Sequence, residues 1–223
     1  MIGIRNVLQI SKVNLRIAFR NNILLSLMLL ISTPIIFSIT NLDFPMAARI
    51  CEQFIVIIGV VILVPIFTPE EDENIKETIN AKAISPILVY IIRIVISVIL
   101  LISLIALFVN ILIYLGGTFT SGRLIMGTFA SSLFLGGLGL FVASLTENVS
   151  IGYMIPIVYF VFDIMTKGKY TKNLFLFSLI NNSFKEKYYL LVASVVLIIL
   201  SLLAYWIRNS NARCGCTRIS QRI

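Results

Sequence analysis

Mostly apolar runs alternate with short polar stretches along the whole chain. Six of them are long enough to read as membrane helices: Ile23–Thr40, Gln53–Phe67, Pro86–Leu115, Leu124–Leu145, Ile151–Met165 and Tyr188–Ile207. Crossing about 30 Å of hydrocarbon takes roughly twenty apolar residues in a helix. Pro34 and Pro156 are placed to kink the first and fifth runs, since proline removes a backbone donor. Between the runs the pattern predicts a short loop at Asn41–Glu52, a Gly-, Ser- and Thr-rich turn at Gly116–Arg123, and a tight turn at Thr146–Ser150. A longer link, Lys167–Lys187, carries an apolar patch, Leu174–Ile180, too short to span. That patch reads as a re-entrant or interfacial helix pair.

Two segments have a different pattern. In residues 1–22, Arg5, Lys12, Arg16 and Arg20 fall within an arc of roughly 80° on a helical wheel. Ile4, Val7, Leu8, Ile10, Leu15, Ile17 and Phe19 cover most of the rest, as in a helix lying among lipid headgroups. A signal peptide is the competing reading, with Ile23–Ile39 as its apolar core; the long amphipathic basic part and the later spans argue against it. The second segment is TPEEDENIKETINAKAISP, Thr68 to Pro86. Thr68 caps, Pro69 suits the first helical position and Glu71 completes a capping box. Glu70–Glu73 complement the positive end of the helix dipole. Ile75, Ile79 and Ala83 give one apolar stripe on an otherwise polar helix between two spans.

Composition fixes the class. The 223 residues are 59% hydrophobic and 13% charged, with mean hydropathy +1.02. The chain reads as all-α and polytopic: an amphipathic helix (1–22), one six-helix transmembrane domain (23–207) and a basic tail (208–223). The net charge of +8 fits basic flanks meeting anionic lipid, and does not call for nucleic acid. Six spans place both termini on one side. Eleven Lys and Arg fall on that side and seven on the other, so it reads as the cytoplasm of a cell membrane. The lysine-rich 167–187 link is the anomaly; an odd number of spans would put it inside instead.

Candidate chemistry is sparse. There is no His, which removes imidazole as ligand or base. Glu70 and Glu71 are similar to the glutamate pair of CAAX-type membrane proteases, but those work with histidines, so that reading fails. A membrane serine protease needs Ser with His or Lys in the bilayer, and the lysines lie outside the predicted spans. Acidic side chains in sequence on a helix diverge, so Glu70–Glu73 read as a solvated first turn rather than a cation site. Cys214 and Cys216 suit palmitoylation or, more plainly, free thiols. Arg93 and Asp163 sit near span ends, where they either line a path or snorkel. Asn110, Tyr114, Tyr153 and Tyr159 are candidate path-lining residues, with interhelical hydrogen bonding or interface anchoring as the alternative. In the fourth run Gly127 and Ser131, Ser132 and Gly136, and Gly139 and Ala143 form small-xxx-small pairs for close helix packing. The first, second, fourth and sixth runs carry no charge in their interiors, which argues against an ion-coupled carrier. No GxxxxGK[ST] occurs.

Taken together, the basic amphipathic start, the six runs, the charged helix EEDENIKETINAKAISP leading into Tyr90–Arg93, and the apolar patch with Asn181 and Asn182 resemble the permease subunit of ABC-2 type (type V exporter-like) ABC transporters. The lysine-rich link and the Cys-Gly-Cys tail depart from that pattern. The resemblance implies that the 68–86 segment is a cytoplasmic coupling helix between helices 2 and 3. Glu70, Glu71, Ile75, Lys76, Ile79 and Lys82 would then face a separate ATPase subunit that carries ATP and Mg; no cofactor is expected on this chain. It also implies a second permease subunit, identical or paralogous, and ATP-driven efflux. The aliphatic spans suit an amphipathic substrate such as a peptide, antibiotic or lipid-linked molecule. A channel or secondary carrier, and a non-transporting immunity or assembly protein, are the alternatives. No enzymatic activity is expected of the chain itself.

Overall fold

A computed structural model describes residues 20–37, 42–67, 86–181 and 183–220. Helix α1 is Arg20–Ile36. Next come α2 (Phe44–Ile50), a π-helical turn (Cys51–Ile55), α3 (Ile57–Leu63) and a 3-10 turn (Val64–Phe67), which together form one continuous rod. Then follow α4 (Pro86–Tyr114), α5 (Ser121–Thr146) and α6 (Val149–Thr166). Two short 3-10 turns, Lys172–Leu174 and Ser178–Asn181, lead into α7 (Lys185–Ser220). The described residues are helical with no strand. A spanning chain must satisfy its backbone within itself, and helices do so locally.

Five of these helices are long and apolar enough to cross a membrane: Phe44–Ile66, Ile87–Tyr114, Ser121–Thr146, Val149–Thr166 and Lys185–Arg208. The helix of the first predicted run, Asn21–Ile36, is apolar but shorter. Two expectations are corrected. The loop expected at Asn41–Glu52 is helical from Phe44, so the second rod starts nine residues before Gln53. Pro45 falls in the first turn of α2, where its missing N–H removes no hydrogen bond, so it does not break the helix. The apolar patch is not a helix pair. It forms an irregular segment whose Leu176, Phe177 and Leu179 are buried. Beyond the sixth predicted run, α7 continues without a break through the region expected as a tail.

Helix α5 is central. It packs on α3, α4, α6 and α7. Its small residues permit this. A Cβ on Gly136 would lie 2.5 Å from the Gly59 carbonyl oxygen, and one on Gly59 would run into the Ser132 carbonyl. A Cβ on Gly139 would lie 2.7 Å from the Gly152 carbonyl oxygen. The α5 and α3 backbones therefore touch directly, as do those of α5 and α6. Gly127 instead makes room for the Leu179 side chain.

The bundle has two ends. At one, the α5–α6 turn is closed by Glu147 in the left-handed conformation (φ 55°) and by the Asn148 side chain, which accepts from Ser150 N at 2.9 Å. Arg208 clasps this turn, bonding Ser144 O at 2.8 Å and pairing with Glu147 at 3.2 Å. Phe67 and Pro86, the described residues on either side of 68–85, lie at this same end. At the other end lie Phe37, Leu42 and Asp43, 115–120, 167–181 and 183–184, linked in part by a Thr118 N to Leu42 O hydrogen bond of 3.3 Å.

Candidate functional site

Among the described residues, two groups of buried charged side chains lie inside the bundle. The first is at the root of the connector. Arg93 sits on the second turn of α4, is only 3% exposed, and donates to Ile66 O at 3.2 Å. Its guanidinium satisfies a carbonyl in the 3-10 turn where the α2–α3 rod ends, a place where helical bonds run out. Ser97 bonds back to Arg93 O at 2.9 Å. The two helices that flank the connector are thereby joined just before it begins. Snorkelling does not describe Arg93: it points into protein.

The second feature is at the opposite end, beneath the 167–184 segment. Glu52, in the π-helical turn, and Lys187, in the first turn of α7, form an ion pair at 2.5 Å with both side chains essentially inaccessible. Glu52 Oε1 also accepts from Leu179 N at 3.1 Å. Lys187 Nζ donates to Ser131 Oγ at 2.6 Å and to Leu176 O at 2.5 Å. Asp163, buried near the end of α6, accepts from Leu176 N at 2.8 Å and from Thr171 Oγ1 at 2.5 Å. Tyr159 donates to Leu174 O at 3.0 Å. Irregular backbone at membrane depth is tolerated only where protein supplies its partners. Here two carboxylates take the N–H groups, while an ammonium and a phenol take the carbonyls. One segment is thus pinned to the α2–α3 rod, α5, α6 and α7.

The Lys187–Ser131 contact has the spacing of a Ser–Lys nucleophile pair, and a general-base lysine needs a free amine lone pair aimed at the hydroxyl. The geometry differs. An ammonium has three protons, and all three are committed, to Glu52, Ser131 and Leu176 O. Ser131 Oγ lies 3.1 Å from Leu176 O and donates there. The arrangement holds a segment in place.

The residues singled out from sequence are distributed as follows. Glu70, Glu71, Ile75, Lys76, Ile79 and Lys82, together with Arg5, Lys12 and Arg16, lie outside the described residues; Arg20 begins α1. Ser131 belongs to the buried network, and Gly127, Gly136 and Gly139 to the contacts above. Asn110 is exposed and bonds Ala106 O within its own helix at 2.9 Å, Tyr114 is exposed at the end of α4, and Tyr153 and Tyr159 are half-buried on α6. These four are not brought together around one path. Glu52 and Lys187 were missed. The argument that the second run has no interior charge fails, because Glu52 lies within that rod.

No family model matches the chain, and no curated protein or solved structure matches it either. The functional reading therefore rests on the residues and their geometry.

Proposed function

We propose that this chain is the membrane-embedded subunit of an ABC-2 type exporter, moving an amphipathic substrate with energy from ATP and Mg bound on a separate ATPase subunit. The observation that carries this reading is the Arg93–Ile66 bond. It makes the two helix ends flanking the 68–85 connector a single stiff base. A push on a docked connector then moves the α2–α3 rod and α4 together instead of bending a loop. The connector carries an apolar stripe, Ile75 and Ile79, for a groove, and acidic residues Glu70 and Glu71 to set register. A second copy or paralogue would complete the path, and anionic lipid would meet the basic N-terminal segment. In this reading the protein sits in the cell membrane with both termini in the cytoplasm.

Affinity purification of the full chain from its native membranes tests the proposal. The expected result is co-elution of an ATPase with Mg-dependent ATP hydrolysis, lost in the Ile75→Asp/Ile79→Asp variant while the chain's own yield holds. Elution of the intact chain with no ATPase would overturn it. A C-terminal reporter active only outside the cytoplasm is expected to stay silent; a strong signal would place the 167–184 end inside.

An ion-coupled carrier is the second reading, and one observation favours it: Glu52, Asp163 and Lys187 are buried charges within a bundle that reads as membrane-spanning, where such groups commonly mark ion paths. Each is bonded to the 167–184 backbone, which is why a structural role is preferred.

A further inference from the structure

The 167–184 end is basic at its surface. Arg49, Arg123, Lys167, Lys169, Lys172 and Lys185 are exposed there. The carboxylates of Glu52 and Asp163 at this end are buried, bonded to Lys187, Thr171 and backbone N–H groups. Among the described residues at this end, Asp43 and Glu186 are the carboxylates left near the surface, and Glu186 accepts from Ser183. The ion pairs among the described residues are Lys187–Glu52 and Arg208–Glu147, so Arg49, Lys167, Lys169, Lys172 and Lys185 form none there. Arg123 lies between the rings of Phe44 and Phe184, 5.9 Å from each centroid.

Three of these lysines fall in one tight loop, Thr166 to Asn173. Lys167 (φ 49°), Gly168 (φ 76°) and Lys172 (φ 38°) adopt left-handed backbone there. Such a conformation is costly for a residue with a Cβ. Within the loop the Lys169 and Lys172 N–H groups bond Thr166 O and Gly168 O, each at 3.0 Å, so the lysine side chains are what the turn offers to an anion. Helix α6, which ends at the loop, exposes Phe162 and Met165, and the start of α7 exposes Tyr188 and Tyr189. Side chains of these kinds suit the boundary between headgroups and acyl chains, and positive charge next to them matches one amphipathic ligand.

We propose that the 166–173 loop, flanked by Lys185, binds the phosphate of an anionic lipid headgroup in the leaflet at this end, with the acyl chains against α6 and α7. The proposal is independent of the transport reading. It also accounts for the lysines that violate the usual charge asymmetry of membrane proteins.

The test uses the full chain in vesicles of equal phosphatidylglycerol and phosphatidylcholine. A headgroup photolabel is placed on one lipid or the other, and labelled peptides are mapped. Phosphatidylglycerol label is expected on the 166–173 and 185–189 peptides in clear excess over phosphatidylcholine label. Each lysine near a charged surface is worth roughly fivefold, so Lys167→Gln/Lys169→Gln/Lys172→Gln should erase the excess. The matching triple Arg variant should keep it, which separates loss of charge from loss of fold. Equal labelling by the two lipids, or an excess that survives in the Gln variant, overturns the proposal. Loss of the excess in millimolar inorganic phosphate at constant ionic strength would assign the loop to a soluble anion instead and overturn the lipid.

Discussion

A Lys187→Met variant is expected to lose about 3–5 kcal/mol of stability, because it strands the buried Glu52 carboxylate without a counter-charge. Lys187 is only 2% exposed, and its three protons hold Glu52, Ser131 and the Leu176 carbonyl. The measure is the denaturation midpoint in mixed micelles, followed by the near-ultraviolet signal of the aromatic residues. Pairing it with Glu52→Gln should recover most of the loss. The Gln carbonyl oxygen still accepts from Leu179 N, the Met chain fills the volume, and Ser131 still bonds Leu176 O. Recovery in the double variant identifies the cost as stranded charge rather than lost packing. If the double variant is as weak as the single one, the pair is not the staple described.

The second large effect is expected at Gly59. Its Cα faces the Ser132 backbone of α5, so even one methyl group meets a carbonyl that cannot move without shifting the helix. Overpacking of this kind costs about 1–3 kcal/mol in ordinary cores, and occasionally more. Gly59→Ala should sit at or above the top of that range, since both sides of the clash are backbone. Gly122→Ala is the control. Nothing lies within 4 Å of a Cβ there, and the position is helical. That change should be neutral or gain up to about 1 kcal/mol from helix propensity. Thermal retention of the monodisperse peak in size exclusion separates the two outcomes.

What the residues disclosed in advance follows from how local each signal is. The α4, α5 and α6 rods came within a few residues of their predicted ends, because long apolar runs bounded by Gly, Ser, Thr and Asn need no tertiary information. The start of the second rod was misplaced because Pro45, Arg49 and Glu52 look like loop punctuation when read singly. A face was nevertheless visible: Ala47, Ala48, Cys51, Glu52 and Ile55 recur at helical spacing, and all five are buried. Small residues around one acid indicate close packing around a buried charge. Its partner is 135 residues away, at a helix start that resembles a solvated link, and no local pattern connects them. The same limit hid Arg93. Its distance from the run's end suggested snorkelling, and only the chain path brings Ile66 O to it.

The length of α7 has a geometric consequence. At 36 residues it runs about 54 Å, and its first turn is anchored by Lys187 while Arg208 braces it roughly two-thirds of the way along. A tilt of ten degrees about the anchored end sweeps Ser220 through about 9 Å. The helix is thus an angular amplifier, and a fluorophore at its far tip would register a tilt of one degree about the Lys187 end as a shift of about 0.9 Å.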